Sequence, residues 1–405
     1  MKKKIIKITA FLLFTACTAV FAMVAYFDCM YPSTIHTASS GNVRINSICT
    51  AKKVSTVEQA SAKKSNSYES VIKLFGVIPI KNVSVSVAEH DEVVMCGTPF
   101  GVMLYSRGVM VVDSADFRSA SGLVNPAKQA GLTVGDILIS LNGEHVTSTE
   151  DVTRIVASSN GEPVVALYER NNSECECTIY PQKCADDNAY KIGLWVRDSS
   201  AGIGTLTFYD VNSGVAVGFG HGICDADTGQ IISISHGTAV SASLYGIKKG
   251  AAGNPGELLG TLNIFGTLGK VILNDQTGVY IDTKYAPKGV ALPVAHWQEV
   301  KKGDAEVYLS VDGEQPQYYS VRLDDINANG KTKNFTVTVT DPRLKERTGG
   351  IVQGMSGSPI VQGGKLVGAV THVLINNSTK GYGIFAENML ETANGLTDRA
   401  TSEAS

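Results

Sequence analysis

The segment Gly349-Gly350-Ile351-Val352-Gln353-Gly354-Met355-Ser356-Gly357-Ser358-Pro359-Ile360-Val361 sets a serine between glycines, just ahead of a run suited to a strand. That pattern suits attack on a peptide carbonyl. The glycines let the backbone turn sharply, so that amides near Gly354 and Ser356 converge on the oxygen that turns negative in a tetrahedral intermediate. Ser356 is the candidate nucleophile, and the Gly354 and Ser356 amides are the candidate oxyanion hole. Gly363-Gly364-Lys365 then reads as a hairpin, with Leu366 to Val370 a strand returning along the site. A serine by itself is weakly nucleophilic at neutral pH, so a histidine base must lie within hydrogen-bond reach in the fold.

Seven histidines are available. His36 lies in a Ser/Thr-rich stretch, His90 and His145 belong to or border a separate compact unit, and His296 follows an apolar loop containing proline. His221, His236 and His372 remain. His221 is favoured, because Gly218-Phe219-Gly220-His221-Gly222 ends a strand in a glycine-flanked histidine that a second body can approach closely. The imidazolium formed in the reaction needs a buried carboxylate to orient it. Asp341 is the best choice: it ends a β-branched strand in Thr340-Asp341-Pro342 and lies fifteen positions before Ser356. Asp225 and Asp210 stay open, as does a reading in which Asp341 only caps its own turn. The eight cysteines fit no paired zinc spacing, so neither a metal nor another cofactor is expected. Cys175 and Cys177 would share one face of a strand with Cys184 close behind, as a disulfide or as unpaired thiols.

These residues must be positioned by a mostly β-rich chain. The 405 residues are 43% hydrophobic and 18% charged, which excludes extensive disorder, and Gly 41 against Trp 2 implies many tight turns between short strands. A net charge of -3, with no basic run interleaved with aromatics, excludes a nucleic-acid partner. Lysines at 2, 3, 4 and 7 precede an uncharged run from Ile8 to Phe27, which as a helix spans about 30 Å, a bilayer core. An uncleaved anchor is expected over residues 1–29, with the bulk outside the cytoplasm. Cleavage near Ala22 or Ala25 and lipidation at Cys17 are the alternatives. Residues 30–86 read as a stalk or linker, solvated from Ser39 to Ser67, while Val71 to Ile80 is apolar and punctuated by Gly and Pro, a pattern of short extended pieces whose role stays open.

Residues 87–185 form the next unit. Asn125-Pro126-Ala127, then Gly131-Leu132-Thr133-Val134-Gly135-Asp136-Ile137-Leu138-Ile139-Ser140-Leu141-Asn142-Gly143, predict a short helix, a glycine turn, a strand and an Asn-Gly hairpin. This resembles a PDZ domain. Gly97-Thr98-Pro99-Phe100-Gly101-Val102 is similar to the PDZ loop that captures a chain-terminal carboxylate, with Phe100, Gly101 and Val102 as donors and Thr149 to Ala157 as the groove helix. Residues 190–396 carry β-branched runs separated by Gly and Asn clusters, the pattern of a barrel or sandwich, before a frayed tail at 397–405.

Gly354 to Pro359 resembles the Gly-x-Ser-Gly-x-Pro motif of trypsin-like serine peptidases, with Ser358 where many carry glycine, and His221, Asp341, Ser356 is the chymotrypsin order. More narrowly, the anchor, the PDZ unit, Ile192-Gly193-Leu194-Trp195-Val196-Arg197-Asp198, Gly220-His221, Asn254-Pro255-Gly256-Glu257, Thr340-Asp341-Pro342-Arg343-Leu344 and Gly349 to Ile360 resemble the stage IV B sporulation peptidases of endospore-forming bacteria. The resemblance implies a trypsin-like double β-barrel following the PDZ domain, and a catalytic histidine, aspartate and serine at His221, Asp341 and Ser356. It also implies self-cleavage, then a cut in a membrane-bound regulator between the membranes around the developing spore, which activates processing of a late sigma factor. The cysteine content, with Cys224 beside the catalytic strand, departs from what the family leads one to expect. Two other readings are a catalytically inactive, membrane-tethered PDZ binding protein and an envelope quality-control protease. In the latter class the PDZ domain usually follows the peptidase domain.

Overall fold

The computed structural model describes residues 2–31, 33–37, 43–44, 49–53, 67–87, 90–171, 173–283 and 286–403. The helix Lys2–Met30 opens the chain, and its stretch Lys7–Cys29 is apolar, unburied and long enough to cross a membrane. Residues 30–86 are not a bare stalk. Strands Thr34–Thr37, Val43–Arg44, Cys49–Lys53, Ser67–Leu74 and Ile78–Val87 form one five-stranded sheet, although 54–66 lie outside the described residues. The sheet buries Ile35, Ile72, Leu74, Val83 and Val85, and Tyr31 lies against Trp297 at 6.3 Å between ring centroids. The apolar run Val71 to Ile80 supplies Ile72 and Leu74, and the partners that bury it come from strands spread over residues 34 to 87. The expected stalk is therefore corrected to a small packed module.

Two closed barrels follow. The first runs round through Pro99–Ser114, Ile234–Lys248, Glu257–Asp275, Gly278–Asp282, Val215–Gly218 and Leu194–Asp210, and closes where this last strand pairs with the first. The second contains Gly303–Leu309, Gln317–Asp324, Phe335–Val339, Asn377–Phe385, Lys365–Leu374 and Pro359–Gln362. Alternation drives both. In Phe335–Val339 the odd positions Phe335, Val337 and Val339 are buried while Thr336 and Thr338 face outward, the period of a strand with one wet face. The C-terminal helix Ala386–Glu403 extends through most of the expected tail and buries Met389 and Ala393 against Val217 and Tyr280 of one barrel and Ala369 and Ile384 of the other.

The PDZ unit is inserted into the first barrel, and the boundary at residue 87 is corrected accordingly. In the strand Pro99–Ser114 the residues Phe100, Val102 and Leu104 fill the barrel core, whereas Val109 and Val111, beyond Gly108, fill the PDZ core with Leu138, Val152 and Val164. The chain then builds the PDZ unit and returns along Leu194–Asp210, which pairs antiparallel with the outgoing strand from Leu194↔Ser114 to Thr205↔Pro99. One strand pair thus belongs to both bodies, and the first barrel begins at Pro99 rather than at residue 190. This also displaces the expected carboxylate loop. Phe100 and Val102 are 0% exposed and Gly101 pairs with Ile203 on one side and Val240 on the other, so these groups serve the barrel and not a peptide terminus.

Within the PDZ unit the local expectations hold. Asn125 caps Pro126–Gln129, Ser148 caps Thr149–Ser158 by accepting from the Asp151 amide, and Asn142 (φ 51) with Gly143 (φ 77) makes the tight hairpin. The turn Thr133 to Asp136 is held by Asp136, 1% exposed, which accepts from the Thr133 amide at 2.8 Å and takes two bonds from Arg170, each 2.7 Å. Asp136→Ala removes the acceptor of the Thr133 amide and leaves the Arg170 guanidinium with only the Gly131 carbonyl. It should lower stability by about 3 kcal/mol, read as an earlier thermal transition of the PDZ unit in the full chain.

Candidate active site

His221 sits at the end of the strand Val215–Gly218, and two consecutive left-handed residues, Phe219 (φ 64) and Gly220 (φ 65), turn the backbone out of the barrel to present it. A Cβ at Gly220 would lie 3.3 Å from both the Val370 carbonyl and the Thr371 methyl, so the turn is also pressed against the second barrel. From the other side comes the nucleophile loop. At Gly357 (φ 94) a Cβ would fall 2.0 Å from the Thr205 carbonyl and 2.5 Å from the Phe219 amide nitrogen, which only glycine permits. The two barrels therefore meet backbone to backbone beside the two candidate residues.

Ser356, half-buried, donates its hydroxyl proton to the Thr371 carbonyl at 2.7 Å. The ring of His221 lies 4.4 Å from that of the next residue, His372, so serine and histidine each touch one of two consecutive positions of one strand. His221 Nδ1 is 2.8 Å from the Gly222 carbonyl oxygen, which makes Nδ1 the protonated nitrogen and leaves Nε2 as the acceptor. Burial pushes the His221 pKa down, partly opposed by the Gly222 bond. His372 is held at about 4 by packing around its ring, then by His221 and Lys333. Around the serine, the amides of Met355, Gly357 and Ser358 are spent on the carbonyls of Val352, Val370 and Met355. Among the described residues the Gly354 and Ser356 amides have no acceptor, as an oxyanion hole requires.

Asp341 is placed elsewhere. It caps the helix Pro342–Thr348, accepts from the Ser320 amide at 3.2 Å and the Arg343 amide at 2.9 Å, and is bonded twice by the Arg343 guanidinium. All these partners belong to the second barrel or its helix, and none is His221, whose Nδ1 faces Gly222 instead. Asp225 is bound to Arg197 and to the amides of Asp227 and Thr228, and Asp210 closes a turn with Asn212 and Ser213, so neither meets the imidazole. Of the other histidines, His236 stacks on Tyr105 and bonds Ser235, while His90 and His296 pair with Glu299 and Glu387. Sequence reading missed Asn274, buried at the end of Glu257–Asp275. Its side chain accepts from the Ile223 amide and donates to the carbonyls of Ile223 and Ile232, holding the loop that follows His221; nothing in its local pattern marks it.

A second concavity, of about 470 Å³, lies between the helix Thr149–Ser158 and the segment Tyr190 to Val196, lined by Phe117, Val152, Val156, Tyr190, Leu194 and Trp195. Residues 194 to 197 pair with Ser114 to Met110 on one edge, and among the described residues no strand pairs with the other edge there. Ile192-Gly193-Leu194-Trp195 was the available signal. It is a glycine-bearing segment entering a strand, overlooked because it follows the PDZ core in sequence.

Two six-stranded barrels with a serine loop and a histidine at their contact, carrying an inserted PDZ domain, define a PDZ-containing serine peptidase. A family model described as SpoIVB peptidase S55 matches residues 188–390, and one described as a PDZ domain matches residues 125–170. The chain belongs to the SpoIVB peptidase S55 family. Among solved structures it is similar to the PDZ domain of an SdrC-like protein from Listeria monocytogenes, at 19% identity over 22% of this chain and 87% of that one, with TM-score 0.19. It is also similar to the active form of the Rv3671c protease from M. tuberculosis, at 14% identity over 47% of this chain and 72% of that one, with TM-score 0.26. A putative zinc metalloprotease of Bartonella henselae is 34% identical over 80 residues, 20% of this chain and 22% of that protein. A probable protease of Enterococcus faecalis is 36% identical over 72 residues, 17% of each chain. The chain thus spans about a fifth of the length of these curated relatives.

Two outcomes follow for measurement. Because burial disfavours the imidazolium of His221 while His372 is already neutral, the base form persists below the ordinary histidine range. The acid limb of kcat/KM should therefore fall below about pH 6.5 as a single titration. Asp341 is held at about 2, chiefly by Arg343. The stability it contributes is present above its unfolded value of about 4 and is lost as pH falls from there toward 2. Asp341→Ala should cost about 1–2 kcal/mol at pH 7, and its melting temperature should converge with that of the natural chain toward pH 2.5. A loss of turnover near 10⁴-fold at unchanged stability would instead make Asp341 the residue that orients His221 in the working enzyme.

Proposed function

We propose that this chain is a membrane-anchored signalling endopeptidase of sporulation, with Ser356 as nucleophile and His221 as general base. The observation that carries the reading is the meeting of Ser356 and His221 at Thr371 and His372, across the contact of the two barrels and inside the family-matched segment. Ser356 Oγ attacks the peptide carbonyl as its proton passes to His221 Nε2, and the Gly354 and Ser356 amides hold the oxyanion. His221 then gives the proton to the leaving amine, and water repeats the sequence on the acyl-enzyme. The Gly222 carbonyl fixes the histidine tautomer. Asp341, expected as the third member of the triad, acts by capping the helix that leads into the nucleophile loop.

The apolar helix Lys2–Met30 is compatible with a membrane anchor, which would hold the peptidase on the outer side of the membrane that its lysines flank. In this reading the chain first cuts itself and then cuts a membrane-bound regulator in the space around the developing spore, leading to processing of a late sigma factor. The groove beside Thr149–Ser158 takes an extended chain of substrate or regulator along the free edge of residues 194 to 197. One observation favours a latent form: Ser356 donates to Thr371 and not to His221, so a trigger that turns the serine hydroxyl is part of the reading.

The test follows the full chain in detergent micelles by intact mass, beside Ser356→Ala, His221→Ala and Ser358→Ala. The natural chain and Ser358→Ala should shorten, while the other two stay whole. If none shortens, a fluorophosphonate probe should still label Ser356 in the natural chain. Absence of both outcomes would leave a tethered PDZ binding protein as the better account.

A further inference from the structure

Thr205, 3% exposed in the strand Leu194–Asp210 of the first barrel, makes an unusual set of bonds to the nucleophile loop of the second. Its amide donates to the Ser356 carbonyl at 2.8 Å and its hydroxyl donates to the Gly354 carbonyl at 3.0 Å. Ser358 Oγ in turn donates to Thr205 Oγ1 at 3.4 Å, and the Thr205 carbonyl accepts from the Phe219 amide at 3.2 Å. Thr207 adds a third latch, from its hydroxyl to the Gly357 carbonyl at 2.7 Å.

The consequence follows from the planarity of peptide units. The two candidate oxyanion amides belong to the planes whose carbonyls are Gln353, accepting from Leu258, and Met355, accepting from Ser358, both at 2.9 Å. Between those two planes lies the Gly354–Met355 plane. Its amide, that of Met355, donates to the Val352 carbonyl at 3.1 Å, and its carbonyl is held by the Thr205 hydroxyl, the one side-chain bond in this series. Rotation of that plane changes the torsions on both sides of it and swings one oxyanion amide away from the other, and glycine at 354, with φ 93, puts little steric resistance in the way. A second carbonyl, that of Ser356, is held by the same residue.

We propose that Thr205 is a positioning residue for the oxyanion hole: its hydroxyl locks the Gly354–Met355 peptide so that the Gly354 and Ser356 amides point to one place. It touches no reacting atom. The inference rests on the serine-peptidase reading above and deepens it, because it assigns part of the second barrel's chemistry to a side chain of the first. Removal of the hydroxyl affects only the charge that develops in the tetrahedral intermediate, so it separates from substrate binding and from proton transfer at His221.

The experiment uses the full chain in micelles, a peptide spanning its own first cleavage site, and the peptide aldehyde of the same sequence, which forms a tetrahedral adduct on serine. Thr205→Val keeps the shape and removes the hydroxyl; Thr205→Ser keeps the hydroxyl. Thr205→Val should lower kcat by roughly 10- to 100-fold with KM within about twofold, weaken the aldehyde by a similar factor and leave the acid limb of the pH profile in place. Thr205→Ser should recover kcat to within about threefold. The proposal is overturned if Thr205→Val matches the natural chain, if it changes KM without weakening the aldehyde, or if Thr205→Ser is no better. Failure of Thr205→Val and Thr205→Ala alike to melt cooperatively would assign the hydroxyl to folding and overturn it too. A natural chain that neither cleaves nor reacts with a fluorophosphonate removes the peptidase reading itself, whereas an active natural chain matched by Thr205→Val removes only this inference.

Discussion

The contact on which the rest of the molecule depends is made by backbone atoms. Gly357 lies so near Thr205 and Phe219 that a single added carbon would sit 2.0 Å from a carbonyl oxygen, and at Gly220 the same carbon would lie 3.3 Å from the Val370 carbonyl and the Thr371 methyl. With no side chain between them, the barrels can exchange main-chain and threonine hydrogen bonds directly: Thr205 to Ser356, Thr205 to Gly354, Thr207 to Gly357. Such bonds have short, nearly fixed lengths, so the serine loop is located relative to His221 to within the tolerance of a hydrogen bond and not of a packed side chain. A larger residue at Gly357 would push the serine loop away from Thr205 and Phe219, the residue two before His221.

The inserted PDZ unit bears on the same place. The strand Leu194–Asp210 starts as one wall of the apolar groove, at Leu194 and Trp195, and ten residues later supplies Thr205 to the nucleophile loop. Its partner Pro99–Ser114 changes allegiance at Gly108, whose missing side chain lets the Leu138 carbonyl come within 2.1 Å of where a Cβ would be. Arg197, in the same strand, bonds the buried Asp225 in the loop beyond His221. Groove, serine loop and histidine loop are thus all tied to one element, whereas an appended domain would be joined to the peptidase by a linker alone.

Much of this was legible in residue types. Ser356 between glycines, Asn142-Gly143, the short helix after Asn125 and the glycine-flanked His221 each state a local backbone requirement, and local requirements survive folding. What was not legible depended on partners distant in the chain. Phe100, Gly101 and Val102 have the composition of a binding loop, yet alternation of Phe100, Val102 and Leu104 into the barrel core decides their role, and that core is completed only by residues beyond 200. The groove segment Ile192 to Trp195 went unnoticed for the matching reason, since the helix it faces lies some forty residues earlier. Asp341 has the spacing of a triad acid and the geometry of a helix cap; only Arg343 and Ser320, brought beside it by the fold, separate the two.

The remaining step concerns protons. His221 carries its proton on Nδ1 toward Gly222, burial lowers its affinity for a second, and Ser356 directs its own proton to the Thr371 carbonyl. In the proposed reaction both groups are therefore in the protonation state required, but Ser356 bonds Thr371 and not His221. Turning the serine hydroxyl from the Thr371 carbonyl to Nε2 would exchange one hydrogen bond for another. An enzyme held this way can be fully folded and idle, and small forces on the 371–372 segment or on the strand that carries Thr205 decide which acceptor the serine chooses.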